Sequence, residues 1–231
     1  MIPIRDDNPT THKPYVTIAL VAANVLVFLY QAAQGPYAEA FVMKFGLIPY
    51  ELTHRVELTP QGGFPAVGTI FTSMFLHGGW LHLGGNMLYL WIFGNNVEDR
   101  LGPIRFLIFY LLSGVSAVLL FVLTGPNTTM PLVGASGAIS GVLGIYALRF
   151  PRARVLTILW LGFFVRLVWI PAVAFLGIWF VMQLLFAVPA VGGANGGGVA
   201  YMAHVGGFLF GVLGAFVYKR RFEGPSRVVG W

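Results

Sequence analysis

The chain has 231 residues, of which 57% are hydrophobic, only 10% are charged and none is cysteine. Soluble domains carry about 25% charged residues, and disordered chains are poor in apolar ones. The composition therefore argues against a soluble enzyme, a disordered chain and a disulfide-stapled secreted domain. It predicts an all-α polytopic membrane protein, and the 30 glycines are typical of closely packed membrane helices.

Six stretches approach the roughly 20 apolar residues that a membrane-spanning helix needs. They cover residues 15–33, 81–97, 104–123, 132–148, 167–188 and 199–218. The apolar segment 155–165 is too short to span, and we interpret it as an interfacial or re-entrant segment that leads into the fifth helix. The expected fold is a bundle of six transmembrane helices with a long, partly interfacial first outer loop. The glycine-rich turn 192–198 is predicted to be either a mobile lid or only a tight reversal between helices five and six.

The basic residues predict the orientation of this bundle. Of the 14 basic residues, 12 fall on one side of the six spans, whereas only Lys44 and Arg55 fall on the other side. Because basic residues favour the cytoplasmic side, both termini are predicted to be cytoplasmic. Residues 1–14 and 219–231 would be short tails of a membrane domain covering 15–218, in a bacterial inner membrane. The charge of +6 then reflects topology, and we expect no nucleic-acid partner.

Polar side chains inside apolar helices are costly and are functional candidates. His82 and Asn86 share one face of the second span, Ser136 opens the fourth span, and His204 lies early in the sixth. Spans two, four and six all run from the outer side inward. The four side chains are therefore predicted to lie at one depth near the outer surface.

Two glycine stripes indicate how Ser136 and His204 meet. The fourth span carries Gly137-x-x-x-Gly141 and the sixth carries Gly207-x-x-x-Gly211, and such small residues permit close helix packing. His204 continues the spacing of the second stripe, so its ring projects from the packing face. Packing through the stripes would bring the serine hydroxyl within hydrogen-bonding reach of the imidazole, as an activated nucleophile requires.

The residues around Ser136 also suit an oxyanion site. Residues 131–135 are predicted to enter the fourth helix without helical geometry, which leaves backbone N–H groups at its start unpaired. Together with Asn86 and His82, these donors would stabilise a developing oxyanion. None of the 8 acidic residues falls in the outer part of a span, so the arrangement would be a Ser–His dyad.

Other interpretations of the same residues remain open. Ser136 has the size of a packing residue, and a buried His204 has the option of bonding a backbone carbonyl. Zinc would compete for His77, His82 and His204, but the chain has no cysteine, and no acidic residue is near these positions. We therefore expect no metal and no cofactor.

Three motifs occur in order along the chain: His82-Leu-Gly-Gly-Asn86, Gly134-Ala135-Ser136-Gly137 and Ala203-His204-Val205-Gly206-Gly207. In this combination the chain resembles the rhomboid family of intramembrane serine proteases, over helices two to six. The resemblance implies Ser136 as nucleophile and His204 as general base and acid. It also implies oxyanion or substrate contacts from His82, Asn86 and the Gly134 segment, and cleavage of transmembrane protein substrates near their outer ends.

Two positions depart from the family pattern. The Trp-Arg pair common in the first outer loop is absent, and Val67-Gly68-Thr69 stands near the expected place. Ser140 occupies the position where some members stack a tyrosine on the catalytic histidine, so the support of His204 is open.

Two other functional classes stay under consideration. A proteolytically inactive rhomboid-like protein would use the same fold to bind client membrane proteins. A transporter or channel would need a polar pathway across the bilayer, which a cluster on the outer side does not supply. The sequence determines neither the substrate nor the oligomeric state.

Overall fold

The computed structural model describes residues 1–58, 64–162, 164–191 and 200–222, most of which are helical. The longer helices are α1 (Tyr15–Ala33), α5 (Trp80–Leu101), α6 (Pro103–Thr124), α7 (Ser136–Arg149), α8 (Ala172–Val191) and α9 (Tyr201–Val217). Four short helices are α2 (Ala38–Phe45), α3 (Pro49–His54), α4 (Ala66–Thr72) and α10 (Lys219–Phe222). Three strands are β1 (Ile2–Asp6), β2 (Arg154–Leu161) and β3 (Phe164–Pro171).

The longer helices agree with the predicted spans to within a few residues, except at the fifth. Helices α1 and α6 are both long and apolar enough to cross a membrane. Helices α8 and α9 contain shorter apolar stretches, and α7 has only 14 residues. The helical bundle is therefore confirmed, whereas the number of spanning helices stays a prediction.

The expectation of an all-α fold is wrong between α7 and α8. The segment 155–165, predicted to be interfacial or re-entrant, is part of an antiparallel β2–β3 hairpin, and the first residues of the predicted span 167–188 belong to β3. The segment is rich in the β-branched and aromatic residues that favour strands, and Gly162 turns the chain with a φ of +62°. Strand β1 pairs antiparallel with β2, which gives the sheet order β1-β2-β3.

The loop between α1 and α5 packs against the helices. The ring of Phe41 lies 5.5 Å from that of Tyr30 in α1, and Thr72 Oγ1 donates a hydrogen bond of 2.6 Å to the carbonyl of Phe45. Leu47 pairs with Leu132 just before α7. These contacts hold the loop beside the start of α7, and they do so without a Trp-Arg pair.

Glu98 near the end of α5 caps the start of α1. Its carboxylate accepts hydrogen bonds of 2.8 Å from the N–H of Val16 and of 2.7 Å from the N–H of Thr17. The hydroxyl of Thr17 donates a third bond of 2.8 Å. A carboxylate at a helix N-terminus satisfies unpaired amides and complements the helix dipole. The buried acid therefore fastens α1 to α5.

Strand β1 carries a carboxyl group against the helix ends. Asp6 Oδ2 accepts a hydrogen bond of 2.5 Å from Tyr146 Oη in α7 and one of 2.8 Å from Asn96 Nδ2 in α5. Burial raises the pKa of Asp6 to about 6, although the hydrogen bond from Tyr146 acts in the opposite direction. The folded protein therefore holds a proton on Asp6 at pH values where the unfolded chain has released it.

We expect Asp6→Asn to remove one part of the pH dependence of stability. Because the pKa of Asp6 is raised on folding, its contribution to stability is complete below its ordinary value of 3.8 and is lost as the pH rises through about 6. Thermal unfolding of the detergent-solubilised protein in pH steps across this window measures the effect.

Asp7 in the same segment is the matched control. Slight burial acts to raise the pKa of Asp7, but hydrogen bonds from the backbone and guanidinium of Arg154 outweigh it and keep the pKa below its ordinary value. Its contribution is lost as the pH falls, which is the opposite sense. Asp7→Asn should leave the loss between pH 4 and 6 in place, and a native-like profile for Asp6→Asn would contradict the assignment.

Candidate active site

Ser136 is the first residue of α7, and the loop before it has a backbone that suits only glycine. Gly134 has a φ of +124°, and its N–H donates a hydrogen bond of 2.9 Å to the carbonyl of Ser73. The helical ladder opens with a bond of 2.9 Å from the Ile139 N–H to the Ala135 carbonyl. The amides before Ile139 have no partner within the helix, so the helix start presents the serine hydroxyl together with backbone donors.

His204 lies in the first turn of α9, and its ring reaches Ser136. The distance between His204 Nε2 and Ser136 Oγ is 2.8 Å, although the residues are 68 positions apart in the chain. This distance is within the range of a short hydrogen bond between a hydroxyl and an imidazole nitrogen. The structure thus brings together the two side chains that the glycine stripes suggested.

Close packing of α7 and α9 produces this contact. A Cβ atom added at Gly207 would collide with the carbonyl oxygen of Gly137, and one added at Gly211 would collide with that of Gly141. Only glycine lets the two backbones approach so closely. The predicted packing of one stripe against the other is confirmed.

His82 turns one edge of its ring toward the start of α7. The N–H of Gly78 donates a hydrogen bond of 3.2 Å to His82 Nδ1, so the proton of the neutral ring is on Nε2. A Cβ atom added at Gly134 would lie 2.8 Å from both Cε1 and Nε2 of His82. A larger residue at Gly134 would therefore displace the imidazole as well as strain the backbone.

Asn86 lies one turn after His82 in α5 and is buried. Its Nδ2 atom donates a hydrogen bond of 3.0 Å to the carbonyl of His82. A primary amide has two N–H groups, so the second N–H is available to a ligand. The helical hydrogen bond fixes the direction in which that second donor points.

These side chains line one cavity of about 620 Å³. Its polar lining includes His82, Asn86, Ser136, Ser140 and His204. Most of the remaining wall is apolar, including Phe121, Met130, Leu132, Leu143 and Trp179. An apolar cavity with a few convergent polar groups is the usual form of a binding site.

A residue that was not predicted as part of the site supports His204 on the side away from Ser136. Gln183 in α8 is buried, and its Oε1 atom lies 2.8 Å from His204 Nδ1. An amide oxygen only accepts hydrogen bonds, so Nδ1 carries the proton and Nε2 offers its lone pair to Ser136. A single amide within an apolar helix is the feature of the sequence that would have identified this residue as a candidate.

The ring of Trp179 adds a second support for His204. Its centroid lies 5.8 Å from that of the imidazole, with an angle of 37° between the ring planes. Ser140 instead faces its own helix, because its Oγ donates a hydrogen bond of 2.6 Å to the carbonyl of Ser136. His204 is therefore supported by α8 and not by residue 140, because α8 supplies both a hydrogen-bond acceptor and an aromatic ring.

His77 lies just before α5, and its ring is buried. Within the part of the chain that the structure describes, neither ring nitrogen has a hydrogen-bond partner, and the ring lies 5.1 Å from that of His82. Burial, with a smaller effect of the neighbouring His82, lowers the pKa of His77 to about 4. Its backbone is held by Gln31 in α1, which bonds both the carbonyl and the N–H of His77.

Two expectations from the sequence remain, one about a zinc site and one about a lid. Across residues 1–58, 64–162, 164–191 and 200–222, no three histidine, aspartate or glutamate side chains are grouped as a metal site would require. The turn 192–198, predicted to be a lid, lies outside the described residues.

Fold and site together define a helical membrane protein in which a serine at a helix start meets a partly buried histidine. The family model described as "Rhomboid domain" matches residues 66–221, well over half of the chain. The chain therefore belongs to the rhomboid family, and it is an integral membrane protein.

Several relatives support this assignment. The chain is 31% identical over 221 residues to "Rhomboid protein 1, mitochondrial" of Saccharomyces cerevisiae, covering 92% of this chain and 56% of that protein. It is 34% identical over 158 residues to "Rhomboid-like protein 11, chloroplastic" of Arabidopsis thaliana, covering 65% and 52% respectively. It is 33% identical over 133 residues to "Rhomboid protease GluP" of Bacillus subtilis, covering 57% and 24%.

These alignments bear on length and location. The chain spans about half the length of the yeast and Arabidopsis relatives and about a quarter of the Bacillus one. Mitochondrial and chloroplastic proteins are among the matches, so the bacterial inner membrane expected from the sequence is not favoured over an organellar membrane.

Proposed function

We propose that this chain is an intramembrane serine protease that hydrolyses peptide bonds in or near the transmembrane segments of membrane proteins. The observation that carries the proposal is the 2.8 Å contact between Ser136 Oγ and His204 Nε2. The proton on Nδ1, held toward Gln183 Oε1, leaves Nε2 as the acceptor that a serine nucleophile needs. Membership of the rhomboid family and similarity to the Bacillus relative, which is named a protease, also support this proposal.

The proposed reaction uses the dyad twice. Ser136 Oγ attacks the scissile carbonyl carbon while His204 Nε2 takes the hydroxyl proton, which gives a tetrahedral oxyanion. Collapse of this intermediate breaks the C–N bond as His204 returns the proton to the leaving nitrogen, and an acyl ester remains on Ser136. Water then attacks the ester with His204 again as base, which releases the second product and restores the serine.

Three kinds of donor are available to the oxyanion. They are the His82 Nε2–H, the second amide hydrogen of Asn86 and the backbone N–H groups at the start of α7. One well-placed donor lowers such a barrier by about 3–4 kcal/mol. Gly134 contributes by leaving room for the His82 ring next to the nucleophile.

The same proposal includes six spans, a membrane domain at 15–218 and both termini on the cytoplasmic side. The antiparallel pairing of β1 with β2 supports it, because the N-terminal tail and the connection between α7 and α8 must then lie on one side. Ser136 stands at the opposite end of α7 from that connection. The partners are transmembrane protein substrates and the surrounding bilayer.

A fluorophosphonate reagent and a cleavable reporter test the function together. The native chain, reconstituted in vesicles, should form a stable adduct at Ser136 and should cleave a single-span reporter protein. The Ser136→Ala variant should do neither, and mass spectrometry of the labelled peptide locates the adduct.

The alternative predicts a different outcome of the same experiment. A proteolytically inactive rhomboid-like protein would bind the reporter but would neither react with the reagent nor cleave. That result in native protein with a cooperative thermal transition would reject the protease. Labelling of the Ser136→Ala variant at another residue would show that the assigned nucleophile is wrong.

A further inference from the structure

The β2–β3 hairpin exposes apolar side chains on both of its faces near the turn. Trp160 is 73% exposed and Phe164 is 71% exposed, and Val165 and Leu167 are also exposed. Successive residues of a strand point to opposite faces, so Phe164 and Val165 cover the two sides of β3. A hairpin in water usually has one polar face, and this hairpin lacks one near its turn.

The polar groups of the hairpin are arranged to leave the turn apolar. The indole N–H of Trp160 is occupied by a hydrogen bond of 2.6 Å to the carbonyl of Gly162. At the opposite end, Arg5 and Arg154 lie over the ring of Trp169, each 5.6 Å from its centroid. The cations are therefore concentrated at the base, and Arg166 is the single charged residue between Arg154 and Pro171.

The surface around the hairpin identifies its partner. Strand β3 continues into α8 without a break at Pro171, and α8 exposes further apolar residues such as Val173, Ile178 and Val181. The exposed surface of the hairpin is thus continuous with that of a helix in an integral membrane protein. Residues 149–171 contain four arginines and no acidic residue, and tryptophan and arginine both favour the interface between headgroups and hydrocarbon.

We propose that the turn end of this hairpin, residues 158–162 and 164–167, inserts into the interfacial region of the bilayer and that the arginines of the hairpin and its base bind anionic lipid headgroups. The partner is the lipid surface itself. An α-helix rises about 1.5 Å per residue, so the 14 residues of α7 separate the hairpin from Ser136 by about 20 Å. The hairpin would anchor the protein at the membrane surface opposite the candidate active site, independently of whether the chain is a protease.

Depth-dependent fluorescence quenching tests this anchor. Because the chain has no cysteine, Val165→Cys carries one environment-sensitive fluorophore in the full-length protein in phosphatidylcholine–phosphatidylglycerol vesicles. Pro9→Cys serves as the control outside the sheet, and Val181→Cys as the control on exposed α8. We expect lipids with a quencher on the acyl chain to act at positions 165 and 181, and aqueous iodide to act at position 9.

Each outcome decides the proposal. Strong iodide quenching at position 165 without lipid quenching would overturn it. Protection from both quenchers, with energy transfer between two labelled copies, would show that a second chain covers the hairpin and would also overturn it. Leu167→Cys repeats the test at a second exposed position, so a folding defect of one variant does not decide the result.

A change of lipid charge tests the arginines separately. Lipid quenching at position 165 should increase when phosphatidylglycerol replaces part of the phosphatidylcholine, because anionic headgroups attract the arginines of the hairpin, including Arg166 next to the labelled position. Adding Arg166→Gln should reduce this increase. An equal response to both lipid compositions would remove headgroup binding from the proposal.

Discussion

The single variants Ser136→Ala and His204→Ala should each lower the rate of reporter cleavage by at least about 10³-fold. The hydroxyl is a weak nucleophile unless a base removes its proton. In this chain the imidazole 2.8 Å away is the base in reach, and no acidic side chain lines the cavity in the part of the chain that the structure describes. Loss of either partner therefore removes the same step.

The double variant gives the sharper test of a shared step. Residues that act as one unit show losses that do not add, so Ser136→Ala with His204→Ala should be little slower than either single variant. Single-turnover cleavage measures all three rates. Losses that multiply would mean that the two residues act in separate steps, and the dyad would be wrong.

Ser140→Ala is the matched control for the removal of a serine hydroxyl. Ser140 is one turn further along α7, and its hydroxyl is bound to the carbonyl of Ser136. The variant should keep the cleavage rate within about tenfold of native, since a hydrogen bond of this kind contributes about 1 kcal/mol. A loss as large as that of Ser136→Ala would show that packing at this helix start, rather than nucleophile chemistry, explains both.

The pairing of α7 with α9 was predictable from sequence because packing leaves a periodic signal. Glycines at Gly137 and Gly141 match those at Gly207 and Gly211, and the structure packs these stripes together. The same spacing placed His204 toward the serine. A position that has no room for a side chain must be glycine. Such a position is therefore recognisable in the sequence without knowing which helix packs against it.

Neither the β2–β3 hairpin nor the contact between Gln183 and His204 leaves a periodic signal in the sequence. A run of apolar residues is compatible with either a strand or a buried helix, and neither the length of segment 155–165 nor its flanking arginines decides between them. Gln183 lies 21 residues from His204 in sequence, and its role depends on how α8 docks beside α9. Tertiary packing decides which residues of neighbouring helices support a site residue. The periodicity of the sequence does not reveal that packing.

Gln183→Leu should lower kcat for reporter cleavage by about tenfold or more with little change in KM. Leucine has a similar volume but offers no acceptor to the Nδ1–H of His204, which is buried next to it. An unpaired buried donor costs about 1–3 kcal/mol, and the ring is free to rotate or to move its proton to Nε2. Either change takes the lone pair away from Ser136, so the chemical step slows while substrate binding persists.

Gln183→Glu and Met182→Leu separate positioning from packing. The glutamate variant keeps an oxygen acceptor at the same reach, so it should be more active than the leucine variant. The Met182→Leu change is on the exposed side of α8 and should leave both constants near native. If the leucine variant keeps full kcat, or if the glutamate variant is no better, then the 2.8 Å contact does not orient His204 and its ring is held by Trp179 alone.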